Sequence, residues 1–202
     1  MHTPTTYGIR PEEILDLGDY ERQRDDIRRS AMQARALRRL AIGPNATLAF
    51  ENRETIRYQI LEMCRAERLA RTDQVQHEIE TYNEMLPSRS ELAATLLLEF
   101  PENPEREKRL KQLLGLEEHL RFVIAGVETP ASFDKRQIDV ERLSSVQFVR
   151  FSLSDIQRAA LINGERASVF ADHPHFVHDV ALSAALMAAL ATDLQEAGLG
   201  EN

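Results

Sequence analysis

The chain contains no tryptophan and a single cysteine in 202 residues. Aromatic residues make up only 6% of the sequence, which disfavours a surface on which bases or sugars stack. The one cysteine, Cys64, excludes an internal disulfide and a zinc or iron–sulfur site built only from cysteines of one chain. Its position in a helical pattern predicts a buried thiol that packs as a small hydrophobic residue.

Motifs that mark common enzyme classes are also missing. The sequence has no glycine-rich phosphate loop, no HExxH, no GxSxG and no paired CxxC. Gln74 stands three residues before His77, so the Glu-x-x-His pair of ferritin-like di-iron bundles is missing as well. The sequence therefore supports neither a nucleotide enzyme nor a self-contained di-iron oxidase.

Long apolar runs are absent too. No run approaches the ~20 residues that a membrane helix needs, and no charged-then-apolar signal segment opens the sequence. We therefore expect a cytoplasmic protein without a membrane-spanning segment. The formal net charge of -8 disfavours tight binding to nucleic acid or to an anionic membrane.

What the chain does contain is typical of one globular domain. Its length, with 43% hydrophobic and 29% charged residues, is enough to bury a sizeable core. We expect a leader over residues 1–11, either flexible or packed at an edge, and a single domain over residues 12–202.

Helical and strand patterns follow one another irregularly. About six helical segments and about six short strands can be distinguished. Because no regular β-α-β alternation appears, we expect an α+β fold with a mainly antiparallel sheet packed against the helices. Residues 92–100 predict a central strand, with Leu97 buried in it. Residues 19–43 predict one long helix, stopped at Gly43-Pro44.

That predicted helix is rich in arginine. Residues 20–43 carry seven arginines and three acids, a net charge of +4, so the rest of the chain nets -12. We interpret the arginines as a solvated face or as partners of the acidic body, and not as a nucleic-acid site. An anionic partner is the alternative.

Two groups of polar residues are candidates for chemistry. The first is spread over two predicted helices and the strand after them. Oxygen and imidazole groups of this kind suit a hard or borderline metal ion or a small polar ligand. The alternative is a set of solvated helix charges with Arg–Glu pairs. Its members are Glu62, Glu67, His77, Glu78, Tyr82, Asn83 and Glu91.

The second group lies in residues 172–179 (DHPHFVHD), which hold three of the six histidines. The segment follows a predicted strand, and His-x-His at a strand end can chelate zinc or a similar metal. The alternative is an exposed loop before the last helix.

Several blocks of the sequence together resemble a known family. They are ENRETIRYQILEMCRAER, HEIETYNEMLPSRSELAATLLLE, VQFVRF, and DHP followed by LSAALMAALATDL. Over about residues 20–194 they are similar to a bacterial family known as domain of unknown function 3501. Its members have no assigned activity. They are often encoded beside a rubrerythrin-like protein and a cysteine-rich iron–sulfur oxidoreductase, which implies a place in redox or oxidative-stress metabolism.

The resemblance also indicates which polar residues the family shares. Of the three histidines, only His173 matches a family position, whereas other residues are usual at His175 and His178. We expect an accessory or interaction protein of a redox system, with residues 51–91 as its docking or ligand face. The alternative is an enzyme with a divalent metal at carboxylates and at His77 or His173. The polar surface that the resemblance implies comprises Glu51, Asn52, Arg53, Glu62, Glu67, Glu78, Tyr82, Asn83 and Glu91.

Overall fold

The computed structural model describes residues 7–100, 104–134 and 141–199. Within these ranges the chain forms six α-helices and nine β-strands, and all of the strand pairs are antiparallel. The α+β class is therefore confirmed. The expectation of one sheet with about six strands is not, because the strands lie in two sheets.

The elements have the following bounds. The helices are α1 (Leu17–Ala36), α2 (Arg53–Ala66), α3 (Thr72–Asn83), α4 (Glu105–Gln112), α5 (Asp155–Ile162) and α6 (Ala184–Leu199). The strands are β1 (Arg39–Ala41), β2 (Ala46–Phe50), β3 (Glu91–Leu98), β4 (Leu120–Ile124), β5 (Val127–Pro130), β6 (Ser132–Phe133), β7 (Val146–Ser152), β8 (Ala167–His173) and β9 (Phe176–Ala181). Two single turns of 3-10 helix lie at Pro11–Glu13 and Leu116–Glu118.

Sheet A has the strand order β1-β2-β3-β7-β6, and sheet B has the order β5-β4-β8-β9. Strand β3 lies between β2 and β7, so its prediction as a central strand is confirmed. The prediction that Leu97 is buried is wrong, because the side chains of a strand alternate between its two faces. Leu96 and Leu98 face the core, while Leu97 is half-buried on the other face of sheet A.

The main apolar core includes the inward residues of both sheets. Phe122 of sheet B is fully buried, and its ring centroid lies 6.0 Å from that of Phe50 and 5.3 Å from that of Phe151, both of sheet A. Helices α4, α5 and α6 contribute further leucines to this core, including Leu110, Leu161 and Leu190. The two sheets are therefore joined by one continuous apolar core.

Helices α2 and α3 form a second, smaller apolar cluster with residues 7–14. Tyr7 and Ile9, from the predicted leader, are buried in it, whereas residues 1–6 lie outside the described residues. Cys64 belongs to the same cluster and is buried, as the sequence predicts. We refer to residues 7–14 with α1, α2 and α3 as the helical layer.

Helix α1 ends at Ala36 and not at Gly43 as predicted. Residues Arg39–Ala41 form an edge strand paired with β2, in which Leu40 is buried and its two neighbours are exposed. Pairing along a sheet edge thus prevails over the local helical preference of the segment. Gly43, with a φ of 67°, forms the turn that leads into β2.

Residues 172–179 form the end of β8, a tight turn and part of β9, so the expected exposed loop is a hairpin. Phe176 and His173 are buried in it.

In the described part of the chain, none of the helices has the length and apolarity required to cross a membrane.

Candidate functional site

Glu62 of the predicted polar surface is held by helix α1. Its two carboxylate oxygens accept hydrogen bonds from Nε and Nη2 of Arg24 at 2.8 and 2.9 Å, and the Tyr20 hydroxyl donates to it at 2.6 Å. The Arg24 guanidinium, followed by the Tyr20 hydroxyl, lowers the pKa of Glu62 to about 2. This carboxylate is therefore charged and fastens α1 to α2. It supports the interpretation that arginines of this segment pair with the acidic body.

Asn83 and Arg53 fasten the N-terminal segment to the helical layer. The Asn83 side chain accepts a hydrogen bond from the Ile9 amide at 2.9 Å and donates to the Ile9 carbonyl at 3.0 Å. The Arg53 Nε donates to the Tyr7 carbonyl at 3.0 Å, and its Nη2 pairs with Glu13. Both predicted site residues thus have structural roles that hold residues 7–13.

Glu91 is paired with Arg150 of strand β7. The Arg150 Nη1 donates to a Glu91 oxygen at 2.9 Å and to the Leu86 carbonyl at 3.3 Å, while its Nη2 donates to the Glu84 carbonyl. One guanidinium therefore holds the segment after α3 against sheet A.

Glu67, His77 and Glu78 lie away from these pairs. Glu67 and His77 are exposed, and Glu78 is half-buried. Burial, followed by the charge of Glu78, raises the pKa of the Cys64 thiol, which keeps that thiol protonated and unreactive.

His173 uses both ring nitrogens within the fold. Its Nε2 lies 3.1 Å from the Leu114 carbonyl, and its Nδ1 accepts the His175 amide at 3.2 Å. A metal could bind this imidazole only by displacing one of these hydrogen bonds. Among the described residues, no three His, Cys, Asp or Glu side chains are placed to hold a metal ion together. A divalent metal at His77 or His173 remains a prediction.

Glu51 and Tyr82 remain, and the structure places them on one groove. The Glu51 carboxylate accepts hydrogen bonds from Thr55 Oγ1 at 2.6 Å and from Thr95 Oγ1 at 2.9 Å. Tyr82 is half-buried and hydrogen-bonded to Gln59, and burial raises its pKa. In contrast to Glu62 and Glu91, Glu51 has no ion pair with any described residue.

The groove lies between α3 and the outer face of sheet A. It consists of two adjoining cavities, of about 470 and 280 Å³, which share Glu51, Met85 and Phe148. We call this pair of cavities the sheet groove. Its other lining residues come from α1 to α3 and from sheet A with its adjoining residues. They are Arg35, Arg39, Ala49, Phe50, Ile56, Gln59, Thr81, Tyr82, Glu84, Ala93, Ala94, Thr95, Leu97, Ser132, Phe133, Asp134, Val146, Val149 and Arg150.

The apolar floor of the groove was not among the sequence predictions. Val146 and Phe148 point to the outer face of sheet A, whereas Val149 and Phe151 point into the core. A strand with apolar residues on both faces, as in VQFVRF, indicates that something also packs against its outer face. That signal could have located the groove.

A buried ion pair was missed as well. Nε and Nη2 of Arg38 donate to the Asp193 carboxylate, both at 2.7 Å, and Asn52 Nδ2 donates to the same carboxylate at 3.1 Å. All three residues are buried. They join the end of α1 and the start of α2 to α6. We assign them a structural role.

The family model described as Protein of unknown function (DUF3501) matches residues 8–194. A crystal structure at 1.90 Å of a novel protein of unknown function from Burkholderia pseudomallei K96243 is 30% identical, with a TM-score of 0.85. The match covers 92% of this chain and 98% of that chain. No curated protein matches the chain. The resemblance seen in the sequence is confirmed, and the chain belongs to the DUF3501 family.

Proposed function

We propose that the protein is an accessory protein of a bacterial redox system, and that it binds a partner protein in the sheet groove. The observation that carries this proposal is the composition of the groove. It combines accessible apolar side chains with a carboxylate that has no ion pair within the described chain.

The apolar side chains form a continuous floor and wall. Val146 is 39% exposed, and Leu97, Phe148 and Met85 are half-buried. A groove with this composition gains free energy when it covers a partner's apolar residues, because apolar surface leaves water. Methionine at Met85 adds a flexible side chain that adapts to the shape of a partner.

Glu51 supplies the polar contact. Two threonine hydroxyls orient its oxygens, so the carboxylate is fixed before a partner arrives. A lysine or arginine of the partner would form a charge-assisted hydrogen bond with it, in a partly desolvated site. The partner segment that fits is therefore apolar with one basic residue.

The class of partner rests on the family resemblance. It implies a rubrerythrin-like protein or a cysteine-rich iron–sulfur oxidoreductase as the neighbour of this family. A supporting role agrees with the state of Cys64, whose buried, protonated thiol is poorly suited to exchange with a partner's thiols. Electron transfer would then belong to the partner, and this chain would bind or position it.

The test is a binding measurement with purified proteins. We expect the rubrerythrin-like protein or the iron–sulfur oxidoreductase of the same bacterium to bind in isothermal titration calorimetry. Val146→Glu, which places a charge in the groove beside Glu51, should abolish binding. Val177→Glu is the matched control, because Val177 is 65% exposed on β9 and does not line the groove.

Two results would contradict the proposal. One is the absence of binding of either partner to the wild-type protein at concentrations up to about 100 μM, which is weaker than specific protein complexes usually are. The other is equal loss of binding in both variants, which would show that binding of the partner does not depend on the groove.

A further inference from the structure

A separate cavity of about 260 Å³ lies between α4 and the β8–β9 hairpin. Its walls combine aromatic rings with cationic and amide groups. We call it the hairpin pocket. Its lining residues include Phe100, Arg109, Gln112, His175, Phe176 and His178.

Buried His173 holds the turn that carries two of the lining residues, His175 and Phe176. Because its Nδ1 accepts the His175 amide, its proton lies on Nε2, which donates to the Leu114 carbonyl at 3.1 Å. This bond ties the hairpin turn to the end of α4. It therefore brings His175 opposite Arg109, which lies on that helix.

His178 is fixed on the other side. Its ring centroid lies 4.5 Å from that of Phe176. The ring also approaches the backbone of Gly43 so closely that a Cβ there would lie 2.4 Å from His178 Cε1. The absence of a side chain at Gly43, where φ is 67°, gives the imidazole its place. A side chain held in this way needs little reordering to bind a ligand.

The charge of the hairpin pocket differs from that of the sheet groove. Among the described residues that line it there is no carboxylate, although the whole chain has a net charge of -8. Arg109 donates from Nε to Glu105 at 3.1 Å, and neither of its Nη groups is hydrogen-bonded to another residue that the structure describes. The cavity thus offers the Nη groups of Arg109 as hydrogen-bond donors to an anion.

The remaining wall is apolar. Phe100 and Phe176 face the cavity together with Leu113. Inorganic anions gain nothing from such surfaces, whereas an organic anion buries its carbon skeleton against them. At about 260 Å³ the cavity is slightly smaller than the usual sites of drug-sized ligands, so its ligand is a small one.

We propose that the hairpin pocket binds a small organic acid with one carboxylate and an aromatic or other apolar body. The carboxylate binds Arg109, with the imidazoles of His175 and His178 as further donors. The apolar body packs between Phe100 and Phe176. This site is independent of the sheet groove, since the two share no lining residue.

The experiment is a titration of the labelled full chain with sodium benzoate, followed by amide and side-chain NMR shifts. Sodium acetate and sodium phosphate are the comparison probes. We expect benzoate to shift the resonances of His175, Phe176 and His178 in a saturable way. Its Kd should be at least about tenfold lower than that of acetate, because acetate lacks the apolar body.

The variant Arg109→Gln should weaken benzoate binding by about tenfold or more, as expected for loss of a charge-assisted hydrogen bond. The matched control is Arg106→Gln. Arg106 is an exposed arginine of the same helix that does not line the pocket, so its loss should leave the Kd unchanged.

Three outcomes would overturn the proposal. The first is no saturable shift at the pocket residues with benzoate. The second is equal weakening by the two arginine variants, which would reduce the effect to net charge. The third is tighter binding of phosphate than of benzoate, which would show that the apolar wall takes no part.

Discussion

Two interfaces of the molecule are built in different ways. One lies between the two sheets, and the other lies between sheet A and the helical layer. Between the sheets, Phe50, Phe122 and Phe151 meet in a fully buried apolar core. The helical layer is instead joined to sheet A by separate polar contacts, such as the hydrogen bond from Arg150 of β7 to the Leu86 carbonyl after α3.

This difference explains where the sheet groove lies. A close-packed apolar core leaves few gaps that a ligand could fill. Polar contacts join the helical layer to sheet A at a few points and leave the surface between those points uncovered. Leu97, Val146 and Phe148 remain accessible for this reason. We infer that the less completely packed interface is the one available to a partner.

The largest expected effect is a difference in stability between substitutions on the two faces of strand β3. Leu96→Asp places an unpaired charge in the core between the sheets, which should cost several kcal/mol in the free energy of unfolding. Leu97→Asp changes a half-buried position of the groove and should cost about 1 kcal/mol. Urea unfolding of both variants measures the difference. Equal destabilisation would show that the outer face of sheet A is as well packed as the core.

The next effect concerns the buried ion pair. Asp193→Ala leaves the Arg38 guanidinium buried without its counter-charge, which should cost about 3–5 kcal/mol in the free energy of unfolding. The double variant Arg38→Met with Asp193→Leu removes both charges and should recover most of that loss. Additive destabilisation in the double variant would mean that the pair itself, and not the orphaned charge, sustains the interface.

A smaller expected effect is the dependence of the protein's stability on pH. The pKa of Glu62 is about 2 in the folded protein, below its ordinary value of 4.5, so its contribution to stability is present above pH 4.5 and is lost as the pH falls towards 2. At neutral pH this contribution is about 1–3 kcal/mol. Glu62→Gln should flatten the decline in stability between pH 5 and pH 2. The exposed Glu67→Gln serves as control, and an identical pH profile of the two variants would contradict the account.

Some of these features could be predicted from the sequence and others could not. Strands β3 and β7 have strong local patterns, and the Ser154–Gln157 capping box marks the start of α5. The Arg38–Asp193 pair joins residues 155 positions apart, and no local pattern marks it. Strand β9 is hard to predict because its sequence, FVHDVA, shows no alternation of polar and apolar residues and begins beside a histidine-rich turn that also suits a metal site.

The partners of the predicted polar residues could not be predicted from the sequence for a related reason. Spacing along a helix shows which residues share a face, but it does not show which arginine or backbone group each will meet. Glu62 pairs with Arg24 of α1, and Asn83 accepts a hydrogen bond from Ile9 of the N-terminal segment. Glu51 and Tyr82 reach the groove because β2 and α3 bring them there.

We propose that a redox partner binds in the sheet groove and not on the outer face of sheet B. The most direct measurement is methyl NMR of the protein with labelled methionine, leucine and valine, titrated with the purified partner. We predict that the methyl resonances of Met85, Leu97 and Val146 shift or broaden, while those of Val123 and Val177 stay unchanged. Shifts concentrated at Val123 and Val177, or none at saturating partner concentration, would contradict the account.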